Sequence, residues 1–164
     1  MRRENNRIEG VIPAVITPFK NDGSVDFSLL ERQFRYLTDA GADGFFIGGT
    51  TSEGAYLTRR ERMEIFELAR SVTGGEKTLF VVFLRPWTEA VIDEMQDFAD
   101  VEPDYVAAVT PFYYGVDQDV MYEHFRRISE SSPAPLVLYN IPQNTHNNIA
   151  VETTLKLAQD SIAV

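Results

Sequence analysis

Apolar residues in this chain cluster in short, β-branched runs instead of alternating with polar ones: VIPAVIT (11–17), GFFIG (44–48), TLFVVFL (78–84), YVAAVT (105–110), PLVLYN (135–140) and SIAV (161–164). Runs of this length, apolar on both faces, predict six buried parallel strands. Between them the period changes. After Asp26, the residues Leu30, Phe34 and Leu37 share one face of FSLLERQFRYLTDA before Gly41 stops the helix. Thr58 and Glu61 form a capping box for RRERMEIFELARSV, with Ile65, Leu68 and Val72 along one side. Thr88 is expected to cap EAVIDEMQDFA, Asp117 or Asp119 opens VMYEHFRRI, and Val151 starts ETTLKLAQ. The predicted order is strand then helix, five times over, followed by a sixth strand.

Regular alternation at roughly thirty-residue spacing requires a parallel sheet with helical crossovers. Two architectures satisfy it, an open doubly wound sheet and a closed barrel. The open sheet would place a glycine-rich nucleotide turn after its first strand, and TPFKNDGS lacks that fingerprint. The missing fingerprint favours an α/β fold of the (β/α)8 TIM barrel kind over the open sheet. Such a barrel needs about 250 residues, so the chain holds about two-thirds of one, the first five and a half β-α units. Residues 1–164 are read as a single incomplete domain whose C-terminal units lie outside this chain, because a sixth strand left with an open edge would invite aggregation. No low-complexity linker suggests a second domain.

Composition narrows the function classes. With 44% hydrophobic and 12% aromatic residues, 164 residues suffice for a sizeable core. The formal charge of -10 opposes attraction to nucleic-acid phosphates or anionic lipid, so neither nucleic acid nor a membrane is an expected partner. The absence of cysteine excludes disulfides, thiolate metal sites and a cysteine nucleophile, and suits a cytoplasmic protein. The arginines at the start precede an apolar stretch, yet Glu9, Gly10, Pro13 and Pro18 interrupt the pattern of a signal peptide. His124 and His146 each lack a second histidine at ligand spacing and are expected to be solvated. No metal and no cofactor is expected, and RRERMEIFE reads as a solvated helix face.

In either architecture the loops after the strands form the functional face. GGTTSEGAYL (48–57) follows the second run and leads to a helix, so hydroxyl and amide donors gather where a small carboxylate could be held without a cation. Thr50, Thr51 and Ser52 could equally make only a turn closed by local bonds. VTPFYYG brings Tyr113 and Tyr114 to the end of the fourth run, and LYNIP brings Tyr139 and Asn140 to the end of the fifth. A tyrosine hydroxyl there can pass a proton or hold a substrate oxygen, or the ring can serve packing alone.

GGTTSE, VTPFYYG and LYNIPQNT, in that order, resemble the dihydrodipicolinate synthase / N-acetylneuraminate lyase family of class I aldolases and lyases, and the likeness runs through essentially the whole chain. The resemblance implies a barrel that binds pyruvate or another 2-oxo acid as a Schiff base on a lysine. It implies a carboxylate-binding turn at Gly49, Thr50 and Thr51, and a proton relay of Tyr139, Thr50 and Tyr113. Tyr113 is expected to reach a neighbouring subunit's site in a homodimer or homotetramer. A hydroxyl chain suits this chemistry, since an imine is made and broken by repeated proton transfer in a site that must still accept an anion.

Four departures qualify the resemblance. The family's lysine falls at the end of the sixth strand, just beyond Val164, and Lys20, Lys77 and Lys156 occupy no matching position, so the 164 residues alone are expected to be inactive. Asn144 stands where true dihydrodipicolinate synthases commonly carry arginine, which disfavours an aspartate-semialdehyde substrate, and Ser52 stands where glycine is frequent. FLRPW replaces small residues after the third run, with Arg85 expected to pair with a surface carboxylate. The alternative reading is a non-catalytic small-acid-binding or oligomerisation protein on the same fold; a sugar-acid lyase is a third.

Overall fold

A computed structural model describes residues 8–164; the arginine-rich start weighed above as a leader lies largely in residues 1–7, outside them. The elements run α1 (Phe27–Asp39), β1 (Gly44–Ile47), α2 (Arg59–Thr73), β2 (Thr78–Phe83), α3 (Thr88–Met95), a 3-10 helix (Gln96–Val101), β3 (Tyr105–Val109), α4 (Gln118–Ser131), β4 (Leu136–Tyr139), α5 (Pro142–Thr145) and α6 (Val151–Gln159). They fall into two compact units, one through Val82 and one from Phe83 to Val164.

In the first unit β1 pairs parallel with β2, from Gly44 opposite Thr78 to Ile47 opposite Val81. Asp26 caps α1 by accepting from Leu29 N, and the Thr58–Glu61 capping box of α2 forms as predicted. Leu30 and Phe34 of α1 are fully buried, and Phe34 meets Phe45 of β1 at a 5.1 Å ring separation. Burial of each such side chain contributes about 2 kcal/mol before entropy is charged against it. The buried face of α2 is rotated from the predicted one: Arg62, Ile65, Phe66, Ala69 and Thr73 face inward, while Leu68 and Val72 are half-buried.

The first predicted strand is reduced to a single parallel bridge, Ala14 to Phe46. Pro13 has no N–H to donate, so only its carbonyl joins, accepting from Phe46 N at 3.0 Å, while Val15 N donates to Phe46 O at 3.2 Å.

In the second unit β3 pairs parallel with β4, from Val106 opposite Leu136 to Val109 opposite Tyr139. All five β3 residues are buried, the two-sided apolar pattern expected of a parallel strand. Helix α4 opens at Asp117, which accepts from Val120 N, and packs on α3, α6 and β4. Phe83 meets Phe98 of the 3-10 helix edge-on at 5.5 Å. Thr88 is not the cap of α3: Trp87 holds that place without a side-chain bond.

The predicted sixth strand, SIAV, is not a strand either. Ser161 N and Ile162 N turn back to close the end of α6 on Ala158 O and Leu157 O, which leaves Val164 N alone to reach Leu136 O of β4, at 2.9 Å. The 3-10 helix and α5, four residues long, carry no periodicity strong enough to predict them.

Candidate functional site

The turn after β1 divides the labour of its hydroxyls. Ser52 is buried, its Oγ accepting from Gly48 N at 3.1 Å and donating to Val15 O at 2.6 Å, while its carbonyl accepts from the buried Thr17 hydroxyl at 2.7 Å. It therefore staples the turn to the segment before α1. The Gly49 carbonyl closes the turn, accepting from Ser52 N and Gly54 N, both at 3.1 Å. Thr50 and Thr51 stand exposed on the outside of this frame. Gly54 admits no side chain, since a Cβ there would lie 1.9 Å from Gly48 O.

A buried arginine braces the same turn from behind. Arg62, on the inward face of α2, donates to Gly54 O at 3.3 Å and to Val82 O at the end of β2 at 2.5 Å. The expectation that RRERMEIFE is a wholly solvated face fails at this residue. The signal was present: Arg62 lies three, four, seven and eleven residues before Ile65, Phe66, Ala69 and Thr73.

In the second unit the loop after β3 carries Tyr113 and Tyr114, exposed at 82% and 76% and packed edge-to-face on each other at 4.9 Å. Tyr113 sits at φ 81°, a conformation that a side chain makes costly. Asn147, buried, holds the loop: its Nδ2 donates to Pro111 O and Tyr114 O, both at 2.8 Å, and its Oδ1 accepts from Val116 N at 3.0 Å. Tyr139 ends β4 half-buried. Its neighbour Asn140 is committed to structure, bonding Asn148 Oδ1 at 2.9 Å and Ile149 N at 3.2 Å. Asn144 is exposed on α5. The structure thus gathers Gly49, Thr50 and Thr51 in one turn, and sets Tyr113 and Tyr139 on two loops of the second unit.

Two ionisable groups in this unit lie deeper than their sequence positions suggest. Arg85 pairs not with a surface carboxylate but with Glu94, whose side chain is 2% exposed, through bonds of 2.6 and 3.1 Å. His124 is buried rather than solvated: Nε2 lies 3.0 Å from Val109 O and Nδ1 2.9 Å from Thr88 Oγ1. Because a carbonyl can only accept, Nε2 carries the hydrogen, and the Thr88 hydroxyl donates to Nδ1 of the neutral ring. Burial disfavours the imidazolium and lowers the pKa from 6.5 to about 4, against a smaller opposing effect of the Val109 bond. Among the described residues no cluster of three or more His, Asp or Glu could hold a metal ion, and no helix is long and apolar enough to cross a membrane.

Comparison with known proteins sets this geometry in a family. A model described as the dihydrodipicolinate synthetase family matches residues 7–163. The 4-hydroxy-tetrahydrodipicolinate synthase of Chlorobaculum parvum is 34% identical over 156 residues, covering 95% of this chain and 53% of its own. Among solved structures, dihydrodipicolinate synthase from Thermotoga maritima superimposes with a TM-score of 0.90 at 30% identity, over 94% of this chain and 52% of its own. The chloride-inhibited enzyme from Acinetobacter baumannii, complexed with pyruvate, does so with a TM-score of 0.89 at 28% identity, over 93% and 53%. The fold is accordingly that of part of a (β/α)8 barrel. The chain spans about half the length of these relatives rather than two-thirds, because they are longer than a minimal eight-unit barrel. By sequence and by fold alike, the chain belongs to the dihydrodipicolinate synthetase family.

Proposed function

We propose that residues 1–164 form the N-terminal part of a single barrel domain of a lyase or aldolase that takes pyruvate, or a closely related 2-oxo acid, as a Schiff base on a lysine carried outside these residues. The observation that carries the reading is the turn after β1. Ser52 and Arg62 bond its inner groups, and Thr50 and Thr51 stand exposed on its outside. A frame held from behind, with hydroxyls outward, suits recognition of a small carboxylate. Family membership and the pyruvate complex of the Acinetobacter baumannii relative support the choice of acid.

On this reading Gly49, Thr50 and Thr51 bind the carboxylate, and Thr50, Tyr113 and Tyr139 relay protons during imine formation and cleavage. The exposed pair Tyr113 and Tyr114 docks against a second copy of the protein, in a cytoplasmic homodimer or homotetramer. Asn144, a neutral side chain, supports an aldehyde partner without the acidic group that an arginine would clamp.

The test is borohydride trapping of the full-length protein with pyruvate, read by intact-mass and peptide mass spectrometry. A reduced adduct on one lysine is expected, with slower trapping in Thr50→Val and Tyr139→Phe. Full-length protein that gains thermal stability from pyruvate yet never forms an adduct would sink the covalent reading and leave a small-acid-binding protein in its place.

A further inference from the structure

Nothing in the sequence marks Asn147, in a polar loop beyond α5. In the fold its amide makes three bonds, all to the backbone of the segment that carries Tyr113: to Pro111 O and Tyr114 O on either side of that residue, and from Val116 N beyond it. Each amide hydrogen is used and the oxygen has one partner, which fixes which end of the side chain is nitrogen.

Asn147 is itself held. The Thr110 hydroxyl at the end of β3 donates to Thr145 Oγ1 at 2.8 Å, and Thr145 Oγ1 donates to Asn147 O at 3.1 Å. Thr110 is fully buried and Thr145 nearly so. A chain of two hydroxyls thus ties the asparagine to a rigid strand, and the asparagine ties down the loop. Tyr113 lies between the two carbonyls that Asn147 pins, at φ 81°. A conformation this costly persists only where the surroundings impose it, and the bonds from Nδ2 on both sides impose it here.

We propose that Asn147 is the positioning residue of Tyr113: it holds that tyrosine in the left-handed backbone conformation from which its hydroxyl enters the proton relay. The relay itself rests on the function proposed above; the restraint on the loop does not.

Two readouts on the full-length protein separate these layers. The first is amide hydrogen exchange in Asn147→Ala. The Val116 amide loses its acceptor and exchanges on the order of tenfold faster, while the β3 amides Val106 to Val109 keep their protection. The second is deuteration of the pyruvate methyl group in D2O, followed by proton NMR. Through the imine, a C3 proton leaves to a base and a deuteron returns, so relay competence is read without the aldehyde partner. Asn147→Ala slows this exchange roughly tenfold or more, but less than about twofold when Tyr113 is already phenylalanine, since the hydroxyl being positioned is gone.

An unchanged Val116 amide, protection lost equally along β3, or the same slowing in both Tyr113 backgrounds would each overturn the assignment. Should Asn147→Ala fail to fold, Asn147→Asp keeps an acceptor for Val116 N and loses both donors, and the same slowing of methyl deuteration is expected of it. If the wild type deuterates no pyruvate, or Tyr113→Phe matches it, the proposed function fails instead, and amide exchange alone then decides whether Asn147 holds the loop.

Discussion

His124 gives the protein a stability that depends on pH in a window where carboxylates contribute little. In the unfolded chain the imidazole titrates at its ordinary 6.5; in the fold burial lowers it to about 4. Below 6.5 the unfolded state binds the proton and the folded state does not, so stability is fully present above 6.5 and is lost as pH falls toward 4. At ~1.36 kcal/mol per pH unit the whole window is worth about 3 kcal/mol. Glu89 favours the imidazolium and Arg127 opposes it, and since these two also pair with each other at 2.7 Å, burial remains the dominant cause. Glu89 itself is lowered from 4.5, chiefly by its bond to Arg127, so the stability it contributes is intact above 4.5 and starts to fade only at the acid end of the histidine window. The assay is urea unfolding between pH 4 and 8 of the wild type and His124→Gln. With a slope of about 2 kcal/mol per molar, the wild-type midpoint falls by roughly 1.5 M across the window, while the variant, less stable at neutral pH, falls much less. Parallel profiles for the two proteins would refute the argument, because Glu89 and Glu123, carboxylates with lowered pKa values, begin to lose their contribution only from 4.5 down.

Three further outcomes follow from the same bonds. Ser52→Ala strips partners from Gly48 N and Val15 O, two buried groups, and is expected to cost about 2 kcal/mol in chemical unfolding. Gly54→Ala drives a Cβ to 1.9 Å from Gly48 O; it forces the turn apart, and pyruvate, if the proposed function holds, then no longer raises the melting temperature. Arg85→Met leaves the Glu94 carboxylate buried without its guanidinium and is expected to cost about 3 kcal/mol in thermal melts. The double variant Arg85→Met/Glu94→Leu recovers most of that loss, and a double variant no better than the single one would show that packing, not charge, governs the site.

Much of the fold was legible because strand and helix carry different periods. The central runs at 44–48, 78–84, 105–110 and 135–140 became β1 to β4, and the caps at Asp26, Thr58 and Asp117 stand where their spacing put them. The outer runs failed for local reasons, a proline without an N–H in one and amides taken up by a helix end in the other. The polar core was misread more systematically. Arg62 and His124 were expected in solvent and Arg85 on a surface carboxylate, yet Arg62, His124 and the Glu94 partner of Arg85 each lie on an apolar stripe: Arg62 with Ile65 and Phe66, Glu94 with Val91 and Met95, His124 with Met121, Phe125 and Ile128. Position on the helix outweighed polarity because each has a partner that offsets its desolvation. Those partners are carbonyls and a guanidinium brought close by tertiary structure, which no spacing along the chain encodes.

The same rule explains what holds the candidate site. Loops that leave a parallel strand have backbone donors and acceptors that the ladder no longer satisfies, and buried ones must find partners elsewhere. Here single side chains supply them. Ser52 and Arg62 serve the turn that carries Thr50 and Thr51, and Asn147 serves the loop that carries Tyr113. None of the three belongs to the motif by which its loop is recognised as chemically interesting, apart from Ser52, which lies within the motif yet faces away from solvent. A search guided by reactive groups alone therefore finds Thr50, Tyr113 and Tyr139 and misses the residues that aim the loops bearing the first two. Substituting the supports should shift those loops while leaving β1 to β4 intact.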